Sequence, residues 1–170
     1  MWKFTGKTRP DFAEVPGPGQ ESVWDYPRPP VLVDSDEQVD VSYAQVPVAS
    51  SRSALRVLET ASPPTYYIPA ADINWAMLIE IGHGSFCEWK GRASYFAMAD
   101  DPHATPVAWL YANPSASFAA IHQHASFYPA RINCFVNGER VRPQAGEFYG
   151  GWITDRLAGP FKGERGTGHW

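Results

Sequence analysis

Cys87 is the side chain most readily written as a nucleophile, because His83 stands four positions before it and the cations Lys90 and Arg92 follow. Neighbouring cations favour a thiolate. Four residues of extended strand span more than ~10 Å at ~3.3 Å each. His83 therefore reaches Cys87 only if the Gly82-His83-Gly84 turn folds it inward. The competing reading, which the spacing favours, is a structural or incidental cysteine. His122-Gln123-His124 with Cys87 and Cys134 contains the donor types of a Cys2His2 zinc site. On a helix, however, positions 122 and 124 point about 200° apart. Only a strand would put both imidazoles on one face, and no paired Cys motif supports a metal, so none is expected. Asp100-Asp101 could serve as a magnesium-binding pair, but it precedes Pro102 in a stretch where aspartate is favoured for turn chemistry alone.

Anion recognition has better candidates. Lys90 stands between Trp89 and Gly91, with Glu59, beside a double proline, as a possible counter-charge. Strand alternation would place Lys90 and Arg92 opposite Trp89 and Gly91. A lysine beside rings can hold a carboxylate or phosphate; equally, it can be an edge lysine that discourages strand pairing. Lys162 in Gly159-Pro160-Phe161-Lys162-Gly163 carries the same two readings. No helix clearly follows it, so a phosphate loop is not indicated. The third group is aromatic: Tyr67, Trp89, Tyr95, Trp109, Tyr111, Tyr128 and Trp152 lie on or beside segments that read as strands. Such rings either fill a core or line a cleft that stacks a flat or cationic ligand. Tyrosine and tryptophan carry polar tips that are awkward in a dry core, so some of them should face a semi-polar pocket.

The elements that must position these groups are short. Val39–Tyr43 alternates apolar and polar residues as a half-buried strand does, and Val46–Ala49 returns antiparallel with Pro47 marking an edge. Ser53–Leu58 reads as one helical turn, and 63–69 must be extended. The stretch from Cys87 to Met98 contains a strong strand, with Ala93, Tyr95 and Ala97 on one face and Ser94, Phe96 and Met98 on the other. Val107–Tyr111 returns beside it. Pro114 opens the one convincing helix, capped by Ser115 or Ser117, with Phe118, Ala119, Ile121 and Ala125 as its apolar face. Asn137-Gly138 between Ile132–Val136 and Glu139–Arg142 is a strong hairpin signal. Residues 1–35 form an irregular arm, with Pro10, Pro16, Pro18, Pro27, Pro29 and Pro30 excluding helix interiors. Trp24 and Tyr26 are too costly to leave in water, so the arm should pack on a single β-rich domain over 36–170.

Composition narrows the function classes. The chain holds 7 Trp, 8 Tyr and 9 Phe, against six leucines, which argues against helical bundles and for short strands. Residues 1–40 carry a net charge of −4, 41–130 of −2 and 131–170 of +2, so no basic stripe exists to follow a phosphate backbone or an anionic membrane. Neither nucleic acid nor membrane is an expected partner. No apolar run approaches the ~20 residues of a membrane span. Two lone cysteines fit a reducing compartment, so a soluble cytoplasmic protein is expected.

Several segments together resemble a bacterial family, the domain of unknown function 427. Glu88-Trp89-Lys90-Gly91-Arg92-Ala93-Ser94-Tyr95 is similar to its cysteine–proline–tryptophan–lysine–glycine strand, with Cys87 on the cysteine and Glu88 where proline is usual. Arg56–Thr60, Pro63–Pro69 with Asp72, Trp109-Leu110-Tyr111, Phe127-Tyr128-Pro129, Gly150–Thr154 and Gly159–Gly163 also match, and Ser22–Pro27 resembles the start of a long-tailed branch. The resemblance implies a mainly β fold: a small antiparallel, β-tent-like (Mss-four-like) domain with one short helix and long irregular N- and C-terminal segments. That architecture looks like the thalidomide-binding domain of cereblon and the B-type methionine sulfoxide reductases. Those carry zinc on two Cys-x-x-Cys pairs, and this chain has neither pair. The family's nucleotidyltransferase-like label would require converging carboxylates that the chain does not present as a motif.

The first expectation is therefore a module binding a small molecule or peptide, with Glu59, Tyr67, Trp89, Lys90, Tyr95, Trp109, Tyr111, Trp152 and Lys162 as candidate ligand contacts and no cofactor. The alternatives are a small enzyme, thiol-based at Cys87 or nucleotidyltransferase-like, and a protein-interaction domain.

Overall fold

A computed structural model of the chain describes residues 1–82, 84–146 and 148–170. It is mainly β, with 36% of residues in strands. The larger sheet runs in the spatial order Val31–Asp34, Leu55–Leu58, Thr65–Pro69, His124–Phe127, Ala108–Tyr111, Gly91–Met98, Leu78–Glu80, and Phe86–Cys87 also pairs with Gly91–Met98. A four-stranded sheet follows the order Glu139–Arg140, Asn133–Val136, Val39–Tyr43, Val46–Ser51. All pairings in both sheets are antiparallel.

Strict alternation along the larger sheet separates two apolar faces. Tyr66, Ile68, Phe96, Met98, Ala108, Ala125 and Phe127 join Val39, Val41, Val48, Cys134 and Val136 of the smaller sheet in the main core. Their sequence neighbours Val57, Tyr67, Ala93, Trp109 and Tyr111 point the other way and form a second cluster. Register aligns this second face: Trp109 sits opposite Tyr95, Tyr111 opposite Ala93, and Val57 opposite Thr65. A sheet that is apolar on both faces needs cover on both. The smaller sheet covers one. Loops cover the other incompletely, which leaves the cavity described below.

The Asn137-Gly138 turn is present, with φ of 50° and 82° at the two residues, as a tight hairpin of this hand requires. Pro47 lies on an edge strand, where its missing N–H costs no ladder bond. Other local expectations are corrected. Leu55–Leu58 is a strand rather than a helical turn, because it pairs on both sides with Val31–Asp34 and Thr65–Pro69. The expected helix after Pro114 is a kinked 3-10 segment, Ala116–Ile121, with no side-chain cap bond from Ser115, whose Oγ donates to Trp89 O instead. Gln123, at φ 57°, breaks the chain away from helix. Ala125 then belongs to a central strand whose pairing on both edges outweighs helix propensity.

The arm packs on the domain through its rings. Trp24 is fully buried, and its Nε1 donates to Pro160 O at 3.1 Å. Phe4, Phe12 and Trp170 surround it at centroid distances of 5.2, 5.2 and 5.3 Å. Glu21–Ser22 pairs with Leu157–Ala158 in parallel, a local exception to the antiparallel plan. The irregular stretch ends earlier than position 35, since Val31–Asp34 is the edge strand of the larger sheet.

Candidate functional site

The second face of the larger sheet floors a cavity of about 590 Å³. Tyr67, Tyr95, Trp109 and Tyr111 rise from it because each occupies the outward register of its own strand. Trp109 is held by two neighbours, Tyr67 and Tyr128. Its Nε1 donates to Tyr67 Oη at 3.2 Å, the Tyr67 ring meets it edge-on at 6.2 Å, and Tyr128 lies against it at 4.4 Å. Gly150 closes the remaining approach, since a Cβ there would collide with the indole.

The walls come from loops. Residues 85–90 bring Cys87, Trp89 and Lys90, the 59–63 segment brings Glu59 and Pro63, and the segment after Val141 brings Gln144, Tyr149, Gly150 and Gly151. Gln144 is buried and ties two of these segments together. Its Nε2 donates to Lys162 O at 2.6 Å, and its Oε1 accepts from Gly151 N at 3.1 Å. At the rim, Phe86 and Phe148 are 76% and 81% exposed, an arrangement that leaves large apolar side chains in water at the mouth.

The phenols of Tyr67, Tyr111 and Tyr128 stay protonated near neutral pH. Burial pushes Tyr67 and Tyr111 well above the ordinary tyrosine value, and the adjacent Cys87 thiol raises both further. Burial, with Tyr95 as neighbour, pushes Tyr128 up to about 12. Those three hydroxyls therefore serve as neutral hydrogen-bonding groups. Tyr95 Oη pairs with Ser85 Oγ.

Glu59, Tyr67, Trp89, Lys90, Tyr95, Trp109, Tyr111 and Lys162 thus line one space. Trp152 does not. It is fully buried in the main core, 4.9 Å from the Tyr66 ring, with Nε1 donating to Phe127 O at 3.0 Å. Its partners lie on the opposite face of the sheet, which removes it from the cavity wall. Trp89 and Lys90 line the same cavity because residues 88–90 form a turn, where strand alternation does not apply. Glu59 is not the partner of Lys90: it accepts from Arg28 Nε of the arm at 3.2 Å, and the Lys90 ammonium sits 5.8 Å from the Phe118 ring. Gln144, Tyr149 and Phe148 are not legible in the sequence, since a lone glutamine and two rings in a Gly-rich segment carry no motif.

Among the described residues, the zinc and magnesium candidates do not assemble. Cys87 and Cys134 lie in separate apolar clusters on opposite faces of the larger sheet, so they cannot share an ion. His124 Nδ1 is engaged with His122 O. Asp100 and Asp101 are exposed in a turn, with Asp101 N donating to Met98 O. His83, the candidate partner of Cys87, lies outside the described residues.

A search of the curated proteins finds no match. The model of the family described as Domain of unknown function (DUF427) matches residues 31–138, from the edge strand at Val31 through the Asn137-Gly138 turn. The matched stretch contains the whole sheet face that floors the cavity, while Gly150–Thr154, Gly159–Gly163 and the arm lie outside it. With more than half of its length matched, the chain belongs to the DUF427 family.

Proposed function

We propose that this protein binds a small molecule with a flat apolar part in the cavity between Trp89, Tyr95, Trp109 and Tyr128. The observation that carries this reading is the cavity itself. At about 590 Å³ it falls within the ~300–1,000 Å³ usual for small-ligand sites, and neutral phenols and indoles form its floor. Aromatic walls give a flat ligand stacking area at little entropic cost, and the hydroxyl tips orient it. Trp109 is clamped by its neighbours and serves as a rigid wall. Trp89 and Tyr95 are only half-buried and retain surface for contact.

The test is a thermal-shift screen of flat aromatic compounds on the full chain, with each hit titrated by calorimetry. Trp89→Ala should weaken a hit about tenfold or more while the protein still melts cooperatively within a few degrees of the parent. Absence of any hit would overturn the reading, as would hits indifferent to both Trp89→Ala and Tyr95→Leu.

A further inference from the structure

A second hollow, of about 500 Å³, lies beside the aromatic cavity. The two share Thr105, Tyr128, Arg131, Gln144 and Tyr149, which come from three separate segments of the chain. Tyr128 also packs on Trp109 at 4.4 Å, so one ring belongs both to the indole wall of the cavity and to the border of the second hollow. Beyond that border the lining is small: Ala130, Pro143, Ala145 and Gly146. Gly146 suits its place, because its φ is 93° and a Cβ there would come within 3.2 Å of Tyr149 Cδ2 and of Gly163 O.

The polar groups on the shared border are engaged by the protein itself. Both ends of the Gln144 amide are bonded, to Lys162 O and to Gly151 N. Arg131 Nη1 donates to Pro106 O at 2.7 Å, and its guanidinium lies 4.2 Å from the centre of the Tyr128 ring. An occupant of the second hollow therefore meets mainly methyl groups, a pyrrolidine and the Tyr149 ring. Such walls reward buried hydrocarbon and cost a polar group its water. A peptide strand fits less well. Its backbone would need a ladder partner, yet one edge of Arg142–Pro143 is taken by Trp152–Ile153, and Pro143 has no N–H to offer on the other.

Resting on the binding reading above, we infer that the ligand is bipartite: a flat ring in the aromatic cavity, and an uncharged aliphatic chain running from it past Tyr128 and Tyr149 onto Ala130, Pro143 and Ala145. The continuity of the two hollows through shared walls is what ties the chain to the ring.

Matched probes test this. The methyl and n-butyl ethers of 2-naphthol, a butyl ether ending in an ammonium group, and a naphthyl ether carrying a dipeptide amide are titrated against the full chain by calorimetry. A fully buried methylene is worth about fourfold, so the butyl ether should bind at least tenfold tighter than the methyl ether even when its chain is only partly covered. The ammonium ether should lose that gain. Ala145→Trp should abolish the butyl-over-methyl gain while leaving methyl ether affinity within about twofold. Ala130→Trp, at an exposed position, serves the same purpose if the first variant does not fold. Equal binding of the methyl and butyl ethers, or a gain retained by the ammonium ether, overturns the bipartite assignment and leaves the binding function standing. Survival of the gain in the tryptophan variants overturns that assignment as well. Loss of the gain at Phe86→Ala would place the chain at the rim and overturn it too, and tightest binding by the dipeptide ether would replace the aliphatic chain by a peptide. No binding by any probe, combined with an empty general screen, overturns both readings.

Discussion

Gly150 should be intolerant of even one methyl group, and the reason lies in Trp109. A Cβ at position 150 would collide with Cη2 of the indole and lie 2.8 Å from Cζ3, contacts that real side chains do not make. The backbone at Gly150 is not in the left-handed region, so Gly150→Ala carries no conformational penalty. Through the unfolded state alone it would stabilise by about 0.4–1 kcal/mol. The clash reverses that sign. The indole cannot retreat without losing its bond to Tyr67 Oη and its packing on Tyr128. Overpacking of this kind costs about 1–3 kcal/mol. For a chain of this size each kcal/mol corresponds to roughly 2–4 °C, so Tm should fall by about 2–12 °C.

The clashing atoms belong to the six-membered ring of the indole, and a phenylalanine ring at 109 lacks them. Trp109→Phe alone should cost about 1–3 kcal/mol through the lost hydrogen bond and lost volume. Combined with Gly150→Ala, it should be about 1–3 kcal/mol more stable than the sum of the single variants, because the added methyl enters the space vacated. Urea unfolding monitored by circular dichroism measures all four corners of this cycle. Additivity within about 0.5 kcal/mol, or a Gly150→Ala protein that melts with the parent, would refute the account of Trp109 as a clamped wall.

Three further outcomes are expected. Tyr66, Tyr67 and Tyr111 are all raised by burial above the ordinary tyrosine value of 10.0, so at high pH the unfolded chain releases protons that the folded one retains. Stability should hold up to about pH 10 and then fall by as much as ~1.4 kcal/mol per pH unit per tyrosine; a curve flat from pH 10 to 12 in urea titrations would contradict this. Ser126 Oγ is buried opposite Trp109 without a hydrogen-bond partner among the described residues, so Ser126→Ala should leave Tm unchanged or raise it, and a loss of several degrees would reveal a partner for that hydroxyl. Gln144→Leu should destabilise by about 1–3 kcal/mol by stripping Gly151 N and Lys162 O of their buried partner, and should weaken any cavity ligand. Unchanged unfolding midpoint and ligand affinity in that variant would show that the loops hold themselves in place.

Local patterning makes much of the sheet readable from the chain alone. The period-two alternation of Ala93, Tyr95 and Ala97 against Phe96 and Met98 is a property of neighbouring residues, as is the Asn137-Gly138 turn, and both reappear in the fold. Local pattern misleads where a long-range partner overrides it. Leu55–Leu58 and Ala125 could satisfy either a helical or an extended period, and pairing on two edges selects the strand. The same limit applies to the Ala44-Gln45 turn, where both residues adopt positive φ, at 47° and 66°, without the glycine or asparagine that usually announces it.

For the candidate site, residue types and alternation are enough to select rings and lysines, because which way a side chain points along a strand is local. Which of two apolar faces becomes a packed core and which becomes a cavity depends on what covers each face, and the cover comes from segments distant in the chain. Trp109 and Trp152 illustrate the difference. Both are tryptophans on short strands, yet one faces loops that leave space and the other faces a second sheet that leaves none. Glu59 pairs with Arg28 across 31 positions, a choice that no spacing rule between Glu59 and Lys90 could have anticipated. Chain order thus dictates the alternating strands such as Gly91–Met98, the ring-rich composition and the family. The long-range packing of the 59–63, 85–90 and late Gly-rich segments over one sheet face turns those rings into a cavity with a buried lysine on its wall.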